Sequence, residues 1–186
     1  MVPITSLLIP ILVAAVLVFL ASFVIHMLLP YHHTDFAKVP VEDQLMSAMR
    51  PMSIPPGEYM MPHGGGPAAM KDPVWLEKMN AGPKAMITVM PPGPPTMGTQ
   101  LTQWFVYCVI VGIFAAYVAG RALPPGAERM SVFRFTSTVA FIAYVVANWQ
   151  NSIWYLRAWS TSLKNTFDGL VYAVLTGLAF AWLWPA

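Results

Sequence analysis

Residues 4–29 contain no lysine, arginine, aspartate or glutamate. At 1.5 Å of rise per residue, a helix of that length crosses the roughly 30 Å hydrocarbon core of a bilayer with some tilt. A secretory signal would have a shorter apolar core, a basic start and a small-x-small cleavage site. Here the start, Met1 to Ser6, carries no basic side chain, so the stretch reads as a retained span with a bend near Pro10. Three further apolar stretches follow. Residues 101–123 end at Arg121 and the helix-stopping Pro124-Pro125-Gly126. Residues 132–149 lose apolar character through Asn148, Gln150 and Asn151. Residues 167–184 follow Lys164, place Asp168 in a first helical turn and close at Pro185. Inside lipid only helices or closed barrels satisfy their backbone, and these stretches lack the period-two alternation of barrel strands. The predicted fold is an all-α membrane protein with four transmembrane helices. Its segments are a first helix (1–29), a long extracytoplasmic loop (30–100) and a three-helix bundle (101–186).

Composition excludes the soluble alternatives. Hydrophobic residues make up 57% of the 186 and charged residues 10%, against about 25% charged in soluble domains. So few charges cannot cover a water-facing surface. The net charge of +2, with no basic cluster, excludes a nucleic-acid partner. Cys108 is the single cysteine, so no internal disulfide forms.

Four spans put both termini on one side. Trp104, Trp149, Trp154, Tyr155 and Trp159 are expected at the loop-side interface, and Trp182 and Trp184 at the other. Arg121, Arg129 and Arg134 flank the connection between the second and third spans, which places the termini in the cytoplasm and the long loop outside.

Small residues recur every fourth position in two spans: Gly112, Ala116 and Gly120, then Gly169, Ala173, Gly177 and Ala181. Positions four apart share a helix face, so each stripe is a groove where another helix packs closely. Packing within the chain's own bundle is expected over contact with a foreign helix.

The loop holds 13 of the 18 prolines, which rules out a large helical domain because each interior proline costs about 3 kcal/mol. Two short helices are predicted. One spans about 41–50, with Glu42 and Asp43 in its first turn. The other covers about 72–81, with Asp72 as N-cap, Pro73 at the first position and Gly82 beyond the end. In the second helix Trp75 and Met79 share a face suited to docking a partner. Pro91-Pro92-Gly93-Pro94-Pro95 predicts an extended return to the membrane.

Candidate chemistry is sparse. Met60, Met61 and His63, with His32-His33 and Met46, Met49 and Met52 in the same loop, are thioether and imidazole donors that suit copper(I). Methionine equally fills irregular apolar gaps, which is the weightier reading. His26, the only histidine within an apolar stretch, is the one candidate pigment or haem ligand, against a simple interfacial histidine. Arg121, Arg134 and Asp168 sit near span ends, which argues against an ion pathway. No phosphate loop, nucleophile elbow or HExxH pattern is present, Gly64-Gly65-Gly66 reads as a flexible turn, and Cys108 reads as an inert packing residue. No enzyme is expected, and no cofactor beyond bound lipid and a pigment or haem contact at His26.

Trp104-Phe105-Val106-Tyr107, Val132-Phe133-Arg134, Asn151-Ser152-Ile153-Trp154 and Trp182-Leu183-Trp184-Pro185, with Gly57-Glu58-Tyr59 and Gly82-Pro83 in the loop, resemble a family of small, uncharacterised bacterial four-span membrane proteins. The resemblance implies a bacterial inner-membrane location and four helices, and carries no activity or binding residue. The functional expectation is a non-catalytic accessory or scaffolding subunit of a larger membrane complex, respiratory or photosynthetic, whose partners are lipids and other integral subunits. The alternative is a copper-handling protein using Met60, Met61 and His63.

Overall fold

Because lipid offers no hydrogen bonds, each apolar stretch closes its own backbone ladder, and a computed structural model describing residues 1–186 shows four helical spans. They cover Ile4–Leu28, Gly98–Ala122, Arg129–Trp154 and Trp159–Leu183. In chain order the helices are α1 (Leu8–Phe23), α2 (Glu42–Met49), α3 (Pro73–Ala81), α4 (Gly98–Ala122), α5 (Arg129–Tyr144), α6 (Trp149–Trp154) and α7 (Trp159–Leu183). Two strands, β1 (Gly57–Met61) and β2 (Ala85–Val89), lie between α2 and α4. The chain divides into two units, residues 1–36 with 96–186, and residues 37–95.

In the first unit the spans form a ring: α1 packs on α4 and α7, and α5 packs on the same two. One end is closed by hydrogen bonds from Val2 N–H to the Gly120 carbonyl (2.8 Å) and from Gly126 N–H to the Pro185 carbonyl (2.9 Å). The small-residue stripes are used inside this ring. A β-carbon on Gly112 would lie 3.1 Å from Ile11 of α1, and one on Gly120 only 2.6 Å from the Val2 carbonyl oxygen. Ala116 and Ala173 are buried, and Gly169 and Gly177 face Val145 and Phe133 of the third span. Ala181, partly buried, packs on the core near Phe180. Cys108 is buried in the core, as expected of a packing thiol.

Several boundaries differ from the sequence expectation. The first span opens with a 3-10 turn (Ile4–Leu7), and its irregular backbone sits at Leu7, so Pro10 occupies the first turn of α1, where its missing N–H is harmless. The same span ends in a π turn, Val24–Leu28. The third span breaks after Tyr144, and α6 continues it to Trp154. The fourth begins at Trp159, well before Phe167. Its polar start is satisfied locally: Ser152 and Ser162 share a hydrogen bond (2.6 Å), and Thr166 donates to the Ser162 carbonyl (2.8 Å). Asp168 is therefore well inside the helix, and a first-turn dipole role does not apply to it.

The tryptophans divide by environment. Trp154, Trp159 and Trp182 are exposed, as an interfacial girdle requires, whereas Trp104 turns inward and donates to Ser22 (2.8 Å).

The second unit has more framework than a mostly irregular loop. Strands β1 and β2 pair antiparallel, Gly57 opposite Val89 and Met61 opposite Ala85. Both predicted helices form, and the Asp72 carboxylate accepts the Val74 N–H (2.9 Å) as an N-cap. None of its residues is buried.

Candidate metal centre and adjoining cavity

The site is built where the first span ends. A π turn widens the helix by one residue and is frequent at functional sites, and this one carries His26. Pro30 then starts a 3-10 turn, Pro30–Thr34, which brings Tyr31 and His32 against α7. There Asp168, its side chain only 4% exposed, accepts a hydrogen bond from the Tyr31 hydroxyl at one oxygen and faces His32 Nε2 at the other (2.9 Å). The second imidazole nitrogen, Nδ1, lies 2.7 Å from Asp35. Lys164, one helical turn before Asp168, donates to Asp35 (2.9 Å), to Thr34 Oγ1 (2.8 Å) and to the Tyr31 carbonyl (2.5 Å). Residues 31–35 are thus bound to α7 by a chain of polar groups, Lys164–Asp35–His32–Asp168.

Tyr31 and Asp35, both outside the spans, respond to this setting. Burial pushes the Tyr31 phenol well above its usual range, and its hydrogen bond to Asp168 and that carboxylate's charge push it further. Burial also works to raise Asp35, but hydrogen bonds from His32 and Lys164 outweigh it and hold the carboxyl below the ordinary range.

His26 stands beside this chain, its ring edge-on to His32 with centroids 4.5 Å apart. A donor atom from each of His26, His32 and Asp168 lies within 4.8 Å of the others. Two imidazoles and a carboxylate are a donor set for zinc or iron(II). Next to them is a cavity of about 690 Å³, bordered by His26 and Asp168 and by Phe19, Trp104, Tyr144 and Tyr172. That volume falls within the range of about 300–1,000 Å³ usual for small-molecule sites. The Tyr172 hydroxyl is buried there without a partner.

Of the residues singled out from sequence, the structure brings His26 into a cluster, though not the expected one. His32 joins it, while His33 is exposed. Met60 and Met61 are neighbours on β1, so their side chains point to opposite faces, and His63 follows two residues after the strand ends. All three belong to the second unit. Trp75 and Met79 are half-buried on one face of α3, and a side chain at Gly64 would collide with the Trp75 indole, so that indole is already in contact with its own unit. Tyr31 and Asp35 escaped the sequence reading. The signal was available: Asp168 is the one carboxylate within four spans, and such groups are functional by default. No protein-family model, curated protein or solved structure matches this chain, which leaves the site's own donor atoms to indicate its chemistry.

Proposed function

We propose that the chain is a non-catalytic accessory subunit of a larger bacterial membrane complex of the respiratory or photosynthetic kind. One observation carries this reading. Residues 37–95 form two helices and a strand pair, yet none is buried, and Met52, Met70, Val74 and Met90 are 59–77% exposed. Ordering a backbone costs about 1–2 kcal/mol per residue, which this unit does not offset by a core of its own. A partner surface covering its methionines would supply that burial. The four spans themselves use their small-residue grooves on one another, so the partner is to be sought at the 37–95 unit. With the termini cytoplasmic, that unit faces the extracytoplasmic side, and reporters fused after Pro67 and at the C terminus should lie on opposite sides of the membrane.

Gentle solubilisation followed by native electrophoresis is the test. The chain should migrate with other integral subunits, and replacing the exposed Met70 and Met90 together by serine should weaken that association while the spans still insert. A wild-type chain that migrates alone would remove the proposal.

A further inference from the structure

We propose that His26, His32 and Asp168 bind one divalent transition-metal ion of the zinc or iron(II) class, with a coordination position left open to the adjoining cavity. The donors come from three places: a π turn, the 3-10 turn after it, and the interior of α7. Donors on one ion at about 2.0–2.2 Å lie about 3.0 Å apart at octahedral angles and about 3.4 Å apart at tetrahedral ones. His32 Nε2 and the Asp168 oxygen, at 2.9 Å, are already so placed, and His26, whose donor nitrogen lies within 4.8 Å of both, closes on the ion by turning its ring.

Two features beyond the donor set point to a ligand. First, Asp35 faces His32 Nδ1 at 2.7 Å, the carboxylate–histidine arrangement that fixes a ligating ring and directs Nε2 to a metal. Second, Tyr172 is 5% exposed, borders the cavity and has no partner for its hydroxyl. A water or oxygen ligand on the open coordination position would give that hydroxyl its missing hydrogen bond.

The plainer alternative is that the cluster only ties residues 31–35 to α7. It explains Tyr31, Lys164 and both carboxylates, but gives no task to His26, which takes no part in the hydrogen-bonded chain, nor to the unpartnered Tyr172.

Full-length protein in nanodiscs, stripped by chelator, should take up one Co²⁺ per chain with visible d–d absorption, and Zn²⁺ should displace it. His26→Gln, which breaks no hydrogen bond of the tether, should weaken uptake at least tenfold, and Asp168→Asn more. His33→Gln, at the exposed neighbour, should leave it unchanged. Absence of stoichiometric Co²⁺ and Zn²⁺ binding, or binding indifferent to His26→Gln and Asp168→Asn, would overturn the assignment. Migration on native gels is a separate readout, so the metal site and the accessory-subunit reading can fail independently.

Discussion

Lys164 shows how much one side chain does at the end of the bundle. Its ammonium holds a carboxylate, a hydroxyl and a carbonyl of the segment that carries His32. Removing one partner of a nearly buried charged bond leaves the other unsatisfied, at a cost of about 1–3 kcal/mol. Lys164 is 24% exposed, so water offsets part of that. Lys164→Met should therefore speed hydrogen exchange at the amides of residues 31–35 while the spans stay protected. Acid should act on the same segment. Asp35 is held below its ordinary value of 3.8, so its stabilisation is complete above that pH and is lost as pH falls through the lowered value. Unaltered exchange in Lys164→Met would mean that the segment is held by something other than its ion pairs. In the sequence Lys164 was legible only as a residue flanking a span, because the pairing with Asp35 depends on where the turn after the span folds.

At the scale of elements, hydropathy found the lipid-crossing part of each helix and missed how far it extends. The fourth span starts at Trp159 because Thr161, Ser162 and Thr166 are buried or bonded within the helix ends, and an apolarity scale counts them as loop. The strand pair was missed for a related reason. Met86, Ile87, Thr88 and Val89 have the β-branched, alternating character of a strand, but Glu58 to Met61 on the other strand are all exposed and show no alternation. The small-residue stripes were legible, and they give a signed prediction. Replacing a helical glycine by alanine usually stabilises by about 0.5–1 kcal/mol. At Gly169 the new methyl would sit 2.3 Å from Val145 Cγ2, and at Gly177 it would sit 2.7 Å from the Phe133 ring. Overpacking of this kind costs about 1–3 kcal/mol, enough to reverse the sign. Gly169→Ala and Gly177→Ala should lower the thermal midpoint of the solubilised protein, whereas Gly98→Ala, with open space around it, should not. A rise at Gly169 would show that the two helices do not meet there as closely as the structure has them.

The whole molecule joins two bodies of opposite construction. The four-span unit closes one end with backbone hydrogen bonds, buries two apolar clusters and carries the histidine–carboxylate site within itself. Residues 37–95 have secondary structure and no core. This contrast makes the two bodies separable by experiment. Replacing residues 37–95 by a flexible glycine–serine linker long enough to join Phe36 to Thr96 removes every exposed methionine of the second unit and no residue of the site. Loop closure weakly penalises linker length, at about 0.6 kcal/mol per doubling, so the linker need not match the native contour. The shortened chain should still insert, melt cooperatively and take up Co²⁺ through His26, His32 and Asp168. Association with the larger complex should be lost, because the surface that lacks its own burial is gone. If the shortened chain instead stays in the complex, the partner binds the lipid-facing side of the spans, where Phe114, Tyr117 and Leu178 are exposed, and residues 37–95 serve another purpose. If it inserts but no longer takes up metal, the second unit supports the site in a way that the hydrogen bonds of residues 31–35 do not account for.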